Sequence, residues 1–178
     1  DLAYIAPGAV KRLSAYNAVM VDQPEILFSP DSKIKGMKPD DLKALSEALR
    51  DTLSGSLAEG GYSVTQKPGP GVVYLRVALT GAVIKAGSDL VKETFNKVDF
   101  VETTFQAEIV DSMSNDVLAA LVAPRGTRKA EGQKETRIDM DEMQQNMRAW
   151  SHRLRCQLDN SKLPADKQTN CADDDANT

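Results

Sequence analysis

The stretch Val72-Val-Tyr-Leu-Arg-Val-Ala-Leu-Thr-Gly-Ala82 decides the fold. Successive side chains on an extended backbone point to opposite faces. Val73, Leu75, Val77 and Leu79 therefore share one face, and Val72, Tyr74, Arg76, Ala78 and Thr80 the other. The first set is wholly aliphatic, so the stretch reads as a strand with that face turned to a core. Ahead of it, Pro68-Gly-Pro-Gly71 reads as a hairpin turn from a short strand at residues 62–66. The prolines restrict the backbone donors that a phosphate would need, so this is not a phosphate loop.

Upstream, Pro39 opens an amphipathic helix, since proline suits a first helical position whose N–H has no partner. Asp40 and Asp41 follow in the first turn, where negative charge suits the helix dipole. Leu42, Leu45, Leu49, Leu53 and Leu57 recur at spacings of three and four as one apolar stripe, until Gly60 and Gly61 end it. The helix is roughly 30 Å long. Further upstream, residues 15–21 read as a strand, residues 24–32 as turns, and residues 1–14 as an arm packed on the body.

Downstream, residues 86–96 are ambiguous, with Ser88 able to cap a short helix. Thr103 to Asp111 alternates, with Phe105, Ala107 and Ile109 on one face, and returns through Ser112 to Asp116 as the strand Val117–Val122. Residues 123–137 are polar and read as a long surface loop. Asp139 and Glu142 then have capping-box spacing, with Ile138 and Met143 placed as a hydrophobic staple. Met140, Met143, Met147, Trp150, Leu154 and Leu158 form the stripe of a second long helix. Together these elements predict an α+β, two-layer domain: a mainly antiparallel sheet of about five strands with two long helices packed on one face. The expected organisation is an arm at 1–14, one domain at 15–160 and a polar tail at 161–178.

Composition narrows the function classes. The 178 residues are 41% hydrophobic and 27% charged, with a net charge of −4, which suits a single folded domain. No Lys/Arg block could neutralise a run of phosphates, so nucleic-acid binding is disfavoured. Nothing approaches the eighteen or so continuous apolar residues of a membrane-spanning helix. The chain opens on Asp1, which reads as a processed product whose targeting segment has been removed.

The run Lys67 to Thr80, with its proline/glycine turn and Leu75-Arg76-x-Ala78-x-Thr80 strand, resembles an uncharacterised group of Gram-negative lipoproteins, the domain-of-unknown-function family thirty-three thirteen. Tyr16-Asn-Ala-Val-Met-Val-Asp22 is similar to that family's first strand. Glu108-Ile-Val-Asp-Ser112 with Val117-Leu-Ala-Ala120 is similar to its central hairpin, and Trp150 to Asp159 to its final helix. The chain departs from the pattern at Asn115, where a glycine is usual, and at Gly81, where an acidic residue is usual. The resemblance covers residues 16–159. It implies an exported protein on the periplasmic side of the envelope, attached to the outer membrane by a lipid anchor ahead of Asp1, with no catalytic residues to carry over.

Candidate sites are few. His152, the only histidine, lies off the apolar stripe and reads as a solvated surface residue without a nucleophile beside it. Two cysteines and one histidine are too few for a zinc site. Cys156 and Cys171 form a disulfide if the chain is exported, and are free thiols otherwise. A bond would close a loop of about fifteen residues and contribute ~3 kcal/mol in the chain-entropy picture. Glu108 and Asp111, three apart on a strand, face opposite sides and cannot act as a hydrolytic pair. Arg125, Arg128, Lys129, Lys134 and Arg137 gather positive charge that could meet an acidic partner or anionic lipid headgroups, but Glu131 and Glu135 dilute it toward an ordinary solvated loop. The methionines read as core filling.

The function expected is a non-catalytic accessory or interaction protein of the envelope, without a cofactor and with a protein partner. The alternatives are a small-ligand or lipid carrier with an apolar cavity between sheet and helices, and an enzyme with an unrecognised carboxylate or hydroxyl site.

Overall fold

The computed structural model describes residues 2–32, 38–84, 98–125 and 137–171. Among these residues the elements run β1 (Leu2–Ile5), α1 (Ala9–Leu13), β2 (Ala18–Val21), β3 (Glu25–Phe28), α2 (Pro39–Glu59), β4 (Ser63–Val64), β5 (Val72–Ile84), β6 (Val98–Val101), β7 (Thr103–Asp111), β8 (Val117–Arg125), β9 (Arg137–Ile138) and α3 (Met140–Asn160). A single 3-10 turn, Ala165–Lys167, follows.

The expected sheet of about five antiparallel strands is wrong. The nine strands form one mixed sheet, mainly antiparallel, accompanied by three helices of which two are long. At one end the order is β1-β8-β7-β5-β2-β4, while β3 and β6 flank β5 further along and β9 joins β6. The error has two physical sources. The additional strands β1, β3, β6 and β9 have two to four residues each, too few to show a period. The mixed character comes from β2, which lies parallel to both β4 and β5, and from β3, which lies parallel to β5. Parallel neighbours need a crossover connection, and α2 supplies it between β2 and β4.

That topology also corrects the reading of Pro68 to Gly71. β4 and β5 are not a hairpin, because β2 lies between them. The loop instead passes over the start of β2, where Gly71 O accepts the backbone N–H groups of Asn17 and Ala18. Similarly, both ends of the expected 123–137 loop are strand: β8 runs to Arg125 and β9 begins at Arg137. The ambiguous stretch 86–96 and the end of the tail lie outside the described residues.

β5 is the spine. It pairs antiparallel with β7 from Val73 to Leu79 and with β6 from Ala82 to Ile84. Between these ladders Gly81 has φ +79°, and Glu102, between β6 and β7, has φ 48°. A Cβ on Gly81 would stand 2.1 Å from Val101 O, so only glycine allows this close passage. At the β7–β8 hairpin Asn115 takes φ 61°, a left-handed conformation that asparagine tolerates better than most residues.

Both long helices lie against the sheet face that carries Val73, Leu75, Val77 and Leu79, and all four are buried. Leu45, Leu49, Leu53 and Leu57 of α2 meet them at 2% exposure or less. α3 starts as its sequence specifies: the Asp139 carboxylate accepts the Glu142 N–H at 2.9 Å, and Ile138 and Met143 are both buried. Met140, Met143 and Met147 fill the core.

Candidate functional site

α3 touches both the sheet and α2. Trp150 stacks on Phe105 of β7, with ring centroids 3.6 Å apart. Beyond that point α3 is drawn toward α2 by polar clasps. Arg155 donates to Ser56 O at 3.1 Å, and the Tyr62 hydroxyl donates to Asp159 at 2.7 Å. Lys162 sits 4.6 Å over the Tyr62 ring. Burial, then the bond to Asp159, pushes the Tyr62 hydroxyl well above the usual tyrosine range.

On the far side of α3, among the described residues, neither long helix covers the β7–β8–β1 end of the sheet, and the short α1 touches it at β8. The result is an open groove of about 490 Å³. Its floor is built from Leu75, Ala107, Ile109, Leu121 and Ile5, and its roof from Trp150, Leu154 and Leu158. The strand register explains the floor: Leu75, Ile109, Ala119 and Ile5 lie opposite one another on neighbouring strands, as do Val77, Ala107, Leu121 and Ala3. The 1–14 arm thus supplies the last strand of the floor, and Val10 and Leu13 of α1 close one end. Ile5 remains 57% exposed, which is unusual for an isoleucine on the core side of a sheet.

Polar residues also line it: Ser151, Arg153, Gln157, Asn160, Ser161 and Gln168. Ser151, 2% exposed, lines the groove, and its Oγ has no hydrogen-bond partner. Sequence reasoning missed it because a serine beside Trp150 on a helix carries no signal of its own. The groove was missed because its floor is assembled from strands far apart in the chain.

Cys156 and Cys171 are disulfide-bonded, with Cα atoms 5.6 Å apart. Both are buried, yet outside the main core: the returning tail covers Cys156 on the helix face turned from the stripe. Asn160 fastens the same turn, accepting the Thr169 N–H at 3.0 Å and donating to Thr169 O at 2.8 Å.

Of the basic residues singled out, Arg128, Lys129 and Lys134 lie outside the described residues, and Arg125 is described only as the backbone end of β8. Arg137 is engaged, 3.6 Å from the buried Asp99. His152 is half-buried on α3. Glu108 pairs across the strands with Arg76 at 3.9 Å, on the face away from the helices. Asp111 accepts the Tyr16 hydroxyl proton and the N–H groups of Met113 and Ser114. The bond from Tyr16, then those from the turn, lower its pKa from 3.8 to about 2. Burial, then a bond to Asp22, raises Tyr74 to about 12. Among the described residues no group of three or more His, Cys, Asp or Glu gathers to hold a metal.

Comparison with known proteins adds the family. No curated protein matches the chain. Among solved structures it is similar to a PelC dodecamer from Paraburkholderia phytofirmans, at 16% identity and a TM-score of 0.39, over 70% of this chain and 78% of that one. It is also similar to a neuraminyllactose-binding hemagglutinin homolog from Helicobacter pylori, at 16% identity and a TM-score of 0.36, over 85% and 87%. The family model described as protein of unknown function (DUF3313) matches residues 2–154, including the β1 arm that the sequence resemblance left out. The chain belongs to this family.

Proposed function

We propose that this protein is a non-catalytic component of the bacterial cell envelope that works by binding, through the groove between α3 and the β7–β8–β1 end of the sheet. The observation that carries the reading is the groove's open apolar floor. Apolar surface left in water forgoes about 25 cal/mol per Å² of stabilisation. Concave, mostly apolar surfaces with few polar groups are where ligands bind. The Cys156–Cys171 disulfide supports placement in an oxidising compartment, as expected on the periplasmic side of the envelope. An anchor ahead of Asp1 and a protein partner remain part of the proposal. A second reading, a carrier of a small apolar ligand, is favoured by the groove's volume of about 490 Å³, within the range of small-molecule sites.

The test is a titration with the apolar fluorophore 1-N-phenylnaphthylamine, comparing the protein with Leu121→Arg, which puts a charge on the groove floor. Saturable binding that the variant loses, at an unchanged unfolding midpoint, supports the reading. No binding, or equal binding by both, overturns it. Placement is tested by fractionating cells that express the full-length gene. Cytosolic recovery with two alkylatable thiols would overturn the envelope assignment.

A further inference from the structure

We propose that β1 is an interface between copies of this chain: it pairs antiparallel with β1 of a second copy about a twofold axis, Tyr4 facing Tyr4. The inference goes beyond the binding reading above and does not depend on it.

The first support is the bare edge. β1 ends the sheet on its side and pairs, among the described residues, with β8 alone. Unpaired N–H and C=O groups on such an edge invite another strand, and proteins guard them with charge or proline. Leu2-Ala-Tyr-Ile5 has neither. All four of its residues are exposed.

The second support is the apolar surface around that edge. Of the ten large apolar side chains left exposed among the described residues, six lie on β1, α1 and β8: Leu2, Tyr4, Ile5, Val10, Val117 and Val122. They wrap the edge, because Leu2 and Tyr4 lie on one face of the sheet and Ile5 on the groove face. Concentrated apolar exposure of this kind marks a contact surface.

The third support is register, which names the occupant. The Ala6 N–H donates to Leu118 O at 2.9 Å. By the alternation of an antiparallel ladder, Leu2 and Tyr4 also turn their backbone groups to β8, and Ala3 and Ile5 turn theirs outward. A self-pairing must match outward residues, so it sets Ala3 on Ala3, Ile5 on Ile5, or Ala3 on Ile5. The first brings Ile5 against Asp1, beyond β1, and the second brings Ala3 against Pro7, which has no N–H to give. Only the third keeps every bond within β1. Tyr4 then stands opposite Tyr4, an aromatic cross-strand pair, and Leu2 opposite Ala6. No like charges meet across this seam, although each copy carries a net charge of −4. A foreign strand finds no charged residue on β1 to recognise, whereas a second copy satisfies the outward groups of both strands by symmetry. The twofold stands perpendicular to the sheet, so the helices of both copies lie on one side and their grooves adjoin at Ile5. That accounts for the exposure of Ile5 in the single chain.

The test is site-directed cross-linking. In this register the two Tyr4 Cα atoms lie about 4.5 Å apart, within disulfide reach, and the two Leu2 Cα atoms about 14 Å apart. Cys156 and Cys171 are bonded to each other, so an introduced cysteine is the reactive thiol. Tyr4→Cys and Leu2→Cys are oxidised with copper phenanthroline, and covalent dimer is read by intact mass. Tyr4→Cys should cross-link at least about tenfold faster, as disulfide geometry requires. Adding Ala3→Pro removes an N–H that points away from β8, so it should slow cross-linking to the Leu2→Cys level at an unchanged unfolding midpoint. Should that midpoint fall, Ile5→Lys, which puts a charge into the seam, serves in its place. The unmodified chain is sedimented from about 10 μM to about 1 mM, because so small a seam belongs with weak, exchanging interfaces. Its dimer fraction should rise across that range, and that of Ile5→Lys should not. Equal rates for the two cysteines, cross-linking undiminished by Ala3→Pro and Ile5→Lys, or a monomer at every concentration overturns the proposal, whether another protein's strand covers the edge or none does.

Discussion

The two long helices are equal in length, 21 residues each, and differ in what they cover. α2 buries Leu45, Leu49, Leu53 and Leu57 almost completely between α3 and the β2–β3–β4 part of the sheet, whereas the second half of α3 leaves Leu154 half-buried over an open floor. α2 is the crossover between two strands of the same sheet, so both of its ends are fixed to the surface it packs on. α3 enters from β9 at one end only and leaves into a tail. Its later turns are held sideways, by Arg155 to Ser56 and by Tyr62 to Asp159, and from behind by the disulfide. A helix fixed at both ends of a crossover closes a core. One fixed at a single end and clasped from the side leaves a groove.

The largest expected effect tests the closed half. Leu49→Ala should cost about 3–4 kcal/mol in equilibrium denaturation, because the fully buried site cannot collapse. Leu154→Ala should cost about 1 kcal/mol, since that side chain already meets water. Equal losses would mean that the two helices pack alike and that the contrast is false.

Next comes the disulfide. Replacing Cys156 and Cys171 together by serine should cost about 3 kcal/mol for a loop of 15 residues. Hydrogen exchange should quicken in the last two turns of α3 while α2 is unaffected. Uniform quickening would show that the bond supports the whole domain and not the open side.

A smaller effect concerns acid. The folded-state pKa of Asp111 is depressed, from 3.8 to about 2, so its contribution to stability is fully present above the unfolded value and is lost as pH falls through about 2. Tyr16→Phe should remove the largest cause of that shift and flatten the stability–pH curve across this window, measured by denaturation at stepped pH. An unchanged curve would show that the turn N–H donors suffice. The clasp ties Tyr16, three residues past α1, to the end of β7, and so helps hold the arm that completes the groove floor.

The smallest effect has the opposite sign. Ser151→Ala should leave the empty protein as stable as before or raise stability by about 1 kcal/mol, as removing a buried, unpartnered hydroxyl does. That is roughly 2–4 °C in Tm for a chain of this size. A loss of more than 1 kcal/mol would mean that the hydroxyl serves the fold, and that its lack of a partner is only apparent.

Long periodic segments were legible from residues alone. The leucine stripe of α2, the alternation of β5 and β7, the Asp139 cap and the staple of Ile138 on Met143 all lie within a turn or a few residues of one another, where backbone period and side-chain chemistry act directly. The sheet's full width was not legible. Glu25–Phe28 sits among prolines, Leu2–Ile5 is exposed throughout, and Val98–Val101 is buried on both faces, so none shows the half-buried alternation that marks a strand. Two of these become strands because β5 offers unpaired backbone N–H and C=O groups beside them, and the third because β8 does. The Pro68–Gly71 turn was recognisable as a turn, but whether it joins neighbours or passes over β2 depends on a strand some fifty residues earlier. The groove belongs wholly to this second kind of information. Its floor joins Ile5, Leu75, Ile109 and Leu121 through strand pairings across the chain, and its roof exists only once α3 is placed above them. Local sequence determined which segments are helix or strand, because those preferences are set within a few residues. Tertiary structure decided which face stays open, because that depends on where distant segments are tethered.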